Sequence, residues 1–193
     1  MLYFTSDLHF GSDSTIKFDK RPFKNSKHFQ KRVIKRWNKL LNKDDTLYVI
    51  GDFIDCHEDT EDTCLNNLKL VNKIKTNVIL ILGNNEERII KHIFNNNFEE
   101  FKTHCISLGF KDVLKDITIT INNIPFFLVH KPKNRKENIL NLFGHSHKAL
   151  GLYKPYGFNI GCDLNNYDPY SENDIMTLVD KKETYWDKDI NLI

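Results

Sequence analysis

Five short segments hold most of the side chains in this chain that could do chemistry. They are Asp7-Leu8-His9, Gly51-Asp52-Phe53-Ile54-Asp55, Gly83-Asn84-Asn85, a lone His130, and Gly144-His145-Ser146-His147. Each follows a run of apolar residues that reads as a buried strand. Their donors are carboxylate oxygens, amide oxygens and imidazole nitrogens, a set that suits zinc, iron or manganese better than calcium. In extended backbone, residues i and i+2 point to the same side. Asp7 is therefore expected to converge with His9, and His145 with His147. A glycine before a donor lets the chain turn without a Cβ clash. The donors are too many for one ion and fit two ions that share a carboxylate. A lone D-x-H is most often a surface turn, and a lone G-H-S-H is often structural. Five such segments in order at strand ends point to a metal site.

The elements that must position these residues are legible as alternating patterns. Residues 2–6 and 46–51 read as strands, and "NVILILG" as a third. Helical spacing of apolar residues is expected from Ser26 to Leu41, over 61–74, and in "EERIIKHIF". The segment between the first strand and Ser26 reads as a basic loop. The second half changes style. "ITITI" (117–121) and "IPFFLVH" (124–130) flank an Asn122-Asn123 turn as a hairpin, and "ILNLFGH" (139–145), "GFNIG" (157–161) and "DIMTLVD" (174–180) read as further strands. A helix-covered half followed by a strand-rich half predicts a two-sheet α/β sandwich flanked by helices. Ligand sites of such folds lie beyond the carboxyl ends of the strands.

The order D-x-H, G-D-x-x-D, G-N-x-[D/E], a single His and G-H-x-H, here "DLH", "GDFID", "GNNE", "VH" and "GHSH", resembles the calcineurin-like metallophosphoesterase superfamily. "FTSDLHFG", "RPF", "RWN" and "NIGCDLNNYDP" are similar to its small members that lack a cap. The resemblance implies a four-layer α/β/β/α fold. It also implies two divalent ions, manganese first, with iron, zinc or nickel as alternatives. One ion goes to Asp7, His9 and His147 and the other to Asn84, His130 and His145, with Asp52 bridging. Two divalent cations outweigh two carboxylates, so such a site stays attractive to phosphate. Asn85 departs from the family, which commonly has His there to bind phosphate and protonate the leaving oxygen. An amide can donate to phosphate but cannot act as a general acid. His57 and His92 are the nearby histidines that could substitute. Asp55 is expected to orient a ligand histidine, which makes Asn85, Asp52 and Asp55 the expected catalytic group.

What the resemblance implies about activity is hydrolysis of phosphate esters. With no insertion long enough for a cap, the site should be open. The expected substrates are phosphodiesters of nucleotides, cyclic nucleotides or nucleic-acid ends. A phosphoprotein phosphatase and a nucleotide pyrophosphohydrolase are the enzymatic alternatives. A non-catalytic scaffold on the same fold is the contrasting one, and retention of all seven donors argues against it.

Bulk properties narrow the class without identifying it. A chain of 193 residues with 40% hydrophobic and 28% charged residues is read as one globular domain over 1–193. No apolar run approaches the roughly 20 residues of a membrane helix, and with no basic segment leading into a long apolar one, no secretory leader is expected. Cys56, Cys64, Cys105 and Cys162 are scattered, which predicts reduced thiols in a cytoplasmic protein. Net charge is only +2, yet residues 17–36 carry nine Lys or Arg against one acid, Asp19. "KPKNRK" (131–136) adds four more beside His130. Both segments leave ligand-bearing strands, so they could rim one cleft and draw in a polyanion. Phe10, Phe18 and Phe23 lie among the cations as candidate base-stacking platforms or ordinary core. His28, His92 and His104 are expected to face solvent.

Overall fold

The computed structural model describes residues 1–56, 60–148, 152–153 and 156–186. Two five-stranded sheets face one another, flanked by helices, as the sequence pattern led us to expect. In the first sheet, β1 (Leu2–Thr5), β2 (Thr46–Ile50), β3 (Asn77–Ile81) and β4 (Asp112–Leu114) run parallel, and β10 (Tyr170–Ser171) pairs antiparallel with β1. In the second, β5 (Ile117–Ile121) and β6 (Ile124–Leu128) form the hairpin. There β6, β7 (Leu140–Phe143) and β9 (Gly157–Asn159) run parallel, and β8 (Leu152–Tyr153) closes the edge.

The period-two alternation of the strands assigns each side chain to a layer. Leu47 and Val49 of β2 enter the core beneath α1 (Asp13–Phe18), α2 (Ser26–Leu40), α3 (Glu61–Leu68), α4 (Asn84–His92) and α5 (Phe98–Ser107). Tyr48 and Ile50 face the opposite way, into the core between the sheets with Phe126, Leu128 and Leu142. Both faces of the parallel sheet are therefore dry, and "TLYVI" and "NVILI" read as continuous apolar runs for that reason.

Three expectations need correction. Residues 174–180 are not a strand but lie in α6 (Glu172–Trp186), where Ile175 and Val179, four apart, enter the inter-sheet core. The basic loop holds α1, capped by the Ser12 hydroxyl, which accepts from Thr15 N–H. Short polar helices give weak periodicity, and this one buries only Thr15 and Ile16. The cysteines are not all thiols, since Cys56, in the loop after β2, forms a disulfide with Cys64 of α3, with Cα atoms 5.5 Å apart. That span lies within the range of disulfides. Cys105 and Cys162 are free and buried. Cytoplasmic placement loses its support from the cysteines. Among the described residues, no helix is long and apolar enough to cross a membrane.

Candidate metal centre

The five expected segments do meet at one place. Asp7 and His9 follow β1, Asp52 follows β2, Asn84 opens α4 after β3, His130 follows β6, and His145 and His147 follow β7. One ligand atom each from Asp7, His9 and His147 lies within 4.8 Å of the others, and the same holds for Asp7, Asp52 and His130. Asn84 Oδ1 is 3.1 Å from His130 Nε2 and 2.9 Å from His145 Nδ1. Asp52 Oδ2 lies 3.5 Å from both His9 Nε2 and His130 Nε2, between the two groups.

The means of convergence differs from the expected one. Asp7, His9, Asp52, His145 and His147 have φ of 57°, 48°, 53°, 69° and 45°. These five donors are therefore in left-handed turns, not extended backbone. Such conformations cost about 1–3 kcal/mol each for a residue with a side chain and gather at functional sites. Tight turns also need close backbone approach. Gly51 has φ 81°, and a Cβ there would strike the His130 ring. A Cβ on Gly144 would strike Ser6 Oγ and the Asp7 carboxylate.

Hydrogen bonding supplies a test of whether a cation fits. His130 Nδ1 lies 2.9 Å from the Ile50 carbonyl, which only accepts, so Nδ1 carries the proton and Nε2 presents a lone pair. That lone pair faces Asn84 Oδ1 and Asp52 Oδ2, both acceptors. Three lone pairs thus converge with no proton of a neutral ring between them. The electrostatics agree. Burial favours a neutral ring, yet the hydrogen bond and charge of Asp52 raise His130 to about 9. Burial alone would raise Asp52, but His130 and His9 hold it well below the usual carboxylate range. The pocket is built for positive charge. At the other group, His147 Nδ1 donates to Asp19 Oδ2 at 2.6 Å, which turns its Nε2 toward His9 Nε2, 3.2 Å away.

Residues not foreseen as part of the centre brace it from outside. Arg21 was expected on a basic rim and is instead 4% exposed. Its guanidinium donates to the carbonyls of Asp7 (2.7 Å) and Leu8 (2.8 Å) and pairs doubly with Asp163 (3.0 and 2.6 Å). Glu86, fully buried, accepts from the N–H groups of Asp52, Phe53 and Gly83 and so ties the β2 loop to the start of α4. Burial and the charge of Asp52 push Glu86 up to about 7. Ser6 Oγ donates to Asp7 Oδ2 and to the Ile50 carbonyl, and His145 N–H donates to both Asp7 oxygens at 3.0 Å. At His147 the ring is oriented by Asp19, and at His130 by the Ile50 carbonyl. Asp55 is partly buried, and its N–H donates to the Phe10 carbonyl. The sequence did carry a signal for Asp19, as the one acid among nine cations.

Asn85 is 3% exposed; its N–H donates to Asp52 Oδ1 at 3.0 Å and its amide lies 3.4 Å from His9 Nδ1. It supports a donor ring from beneath. His92 sits at the far end of α4, eight residues from Asn84, or about 12 Å along the axis. His57 lies outside the described residues. His104 is not solvent-facing but packs against Phe94 at 5.5 Å, and His28 packs against Phe23. Of the aromatic candidates, Phe10 is core, Phe23 packs on Phe29 and Tyr167, and Phe18 is 86% exposed. The second basic segment is partly occupied with its own chain. Lys131 pairs with Glu87 at 2.6 Å, Arg135 lies over Tyr156, and Lys136 lies over Phe127.

With the geometry known, comparison with known proteins gives the class. The chain belongs to the calcineurin-like phosphoesterase family, whose pattern matches residues 2–183. It is 25% identical over 191 residues to the uncharacterized protein MJ1445 of Methanocaldococcus jannaschii, covering 93% of this chain and 92% of that one. Among solved structures it is similar to the protein of unknown function AQ665 from Aquifex aeolicus, with TM-score 0.64, 22% identity, and 92% and 98% of the two chains covered. A looser likeness, with TM-score 0.45, 17% identity, and 83% and 77% covered, is to YfcE, a phosphoesterase from E. coli. The family generally binds divalent metals, and a phosphoester is the fitting substrate class.

Proposed function

We propose that the chain, read as one domain over 1–193, is a binuclear metal-dependent phosphoesterase. Asp7, His9 and His147 would hold one ion, Asn84, His130 and His145 the other, and Asp52 both. The observation that carries this reading is the position of Asp52 Oδ2, 3.5 Å from a histidine of each group. Two ions so held would supply an activated water and electrostatic stabilisation of the phosphoryl group, with manganese the first candidate and iron, zinc or nickel behind it. The chain's own residues do the positioning. Asp19 and Ile50 fix two imidazole tautomers, Arg21 fixes the backbone of Asp7 and Leu8, and Asn85 supports His9. Phosphodiesters of nucleotides, cyclic nucleotides or nucleic-acid ends remain the substrates of choice for an open site without a cap, and with no general acid at Asn85 the rate should fall steeply as the leaving group becomes more basic.

The test has two arms. Bound metal and turnover of a chromogenic diester are measured with Asp52→Asn beside wild type. Metal and activity should fall together, by more than the roughly 10–100-fold typical of outer-shell losses. Wild-type log rate is then plotted against leaving-group pKa. A steep dependence is expected, because general acid catalysis worth about 10²–10⁴-fold is missing. Near-normal activity and two metals in Asp52→Asn would overturn the binuclear reading. A shallow slope would mean that another group supplies the proton.

A further inference from the structure

Between Asp19 and Asp44 the chain carries ten Lys or Arg and no acid. α2 occupies most of this stretch. One side of it, with Phe29, Val33, Ile34 and Trp37, is buried in the core. Another side carries Lys27, Lys31, Lys35 and Lys39, all exposed and spaced by four. Four helical residues rise about 6 Å, so these side chains make a row about 18 Å long. Lys73 and Lys75, just before β3, face the row across a shallow groove of about 710 Å³. The groove is held in shape by Asn38 of α2, whose amide donates to the Lys73 carbonyl at 2.7 Å and accepts from Lys75 N–H at 2.8 Å.

Among the described residues, no carboxylate lies within ion-pair distance of these six lysines, and Asp13 feels the charge of Lys27. Lysines four apart repel one another and weaken a helix, so the row is not there for helix stability. A basic groove without internal partners holds mobile counter-ions, and a polyanion that displaces them gains their release. A slanted row of evenly spaced cations, which winds part of the way round the helix, matches the curved line of phosphates along a nucleic-acid strand better than a single small anion. The groove is also not the rim of the metal centre. α2 starts after the carboxyl-end loop of β1 and ends five residues before β2 begins, so it runs back along the sheet. Lys39, Lys73 and Lys75 lie by the amino ends of β2 and β3, opposite the clustered donors.

We propose that this groove binds the sugar–phosphate backbone of a nucleic-acid duplex, at a surface distinct from the candidate metal centre. Binding requires no metal, so it stands or falls apart from the phosphoesterase reading. The test is fluorescence anisotropy of a labelled duplex of about 20 base pairs, with chelator present, from about 50 to 200 mM salt. Wild type should bind with log K falling at a slope near −4, for about four or five neutralised phosphates. Lys31→Glu/Lys35→Glu/Lys73→Glu should bind at least tenfold more weakly, with a slope flatter by roughly 3. A control with the same charge change elsewhere, Lys91→Glu/Lys111→Glu/Lys133→Glu, should keep most of the affinity. If the two triple variants lose equally, attraction is diffuse and the groove is not the site. Stronger competition by anionic vesicles or an acidic peptide than by unlabelled duplex would also overturn the proposal. Thermal melting checks that each variant is folded. The Lys→Gln versions replace any that is not, with the same tenfold loss expected.

Discussion

Asp7, His9, Asp52 and His130 form a buried floor to the centre, whereas Asn84 and His147 are half-buried and His145 is exposed. The two regions are held in different ways. The floor is fixed by buried groups on several sides: Arg21 on the carbonyls of Asp7 and Leu8, Cys162 Sγ also on Asp7 O at 3.3 Å, and Glu86 on the β2 loop. The open side has fewer supports, chiefly Asp19 on His147 and Asn84 on His145. A substitution beneath the floor should therefore cost folding, and one on the open side should cost metal affinity with folding spared.

Arg21 gives the largest separation between the two regions. Its side chain is fully buried and paired with an equally buried Asp163. Arg21→Met leaves that carboxylate without its cation, the Leu8 carbonyl without its guanidinium donor and the Asp7 carbonyl with only Cys162 Sγ. Breaking a buried pair on one side costs about 3–5 kcal/mol. Urea denaturation should register a loss of that size, while Lys20→Glu, one residue away and exposed, should stay within about 0.5 kcal/mol of wild type. If Arg21→Met were equally benign, the floor would not depend on this brace.

Why Arg21 was misread is a matter of what a sequence displays. Motif spacing reports which side chains could act as donors, and the seven proposed donors were all drawn from it. It does not report which direction a cation points. Lys17, Lys20 and Arg21 look alike in a basic run, yet Arg21 alone of the three is buried, drawn in by the backbone carbonyls of the left-handed Asp7 turn. Apolar runs bounded by polar residues likewise exposed β1, β2, β3, β6 and β7, and strict alternation exposed β5. α5 was passed over, since it buries only Phe101 and Cys105 and its amphipathic pattern is weak. The Cys56–Cys64 bond joins a loop to a helix, a pairing that no local pattern encodes.

On the open side the sharper instrument is metal affinity. Asp19→Ala removes the acceptor that fixes the tautomer of His147. Loss of such a partner costs roughly 10–100-fold in affinity, or about 1.4–2.7 kcal/mol. Isothermal titration with manganese should show one of the two proposed sites weakened by that factor, with a fall in the urea midpoint much smaller than that of Arg21→Met, since Asp19 Oδ2 lies only 3.8 Å from the Arg21 guanidinium. Asp19→Asn retains an acceptor oxygen and should recover part of the loss. Equal weakening of both sites, or a large drop in stability, would erase the distinction between floor and open side.

The smallest effect is expected far from both regions, at the start of α6. Ser171 N–H and Oγ–H both donate to Asp174 Oδ2, at 2.8 and 2.7 Å, and Asp174 N–H donates back to Ser171 Oγ at 3.1 Å. This reciprocal pair satisfies amide groups that the first turn of a helix would otherwise leave open. The sequence "SEND" carries that signature, and it outweighs the β-like look of "DIMTLV", whose Ile175 and Val179 sit four apart as a helix face requires. Ser171→Ala removes one partner of the cap and should cost about 1 kcal/mol. The helix end is partly exposed, so water takes up part of the lost bonding. Since α6 packs chiefly against β1 and β10, metal affinity in Ser171→Ala should equal that of wild type. A variant that lost metal along with that 1 kcal/mol would mean that the floor is stabilised through the inter-sheet core as well as by its own braces.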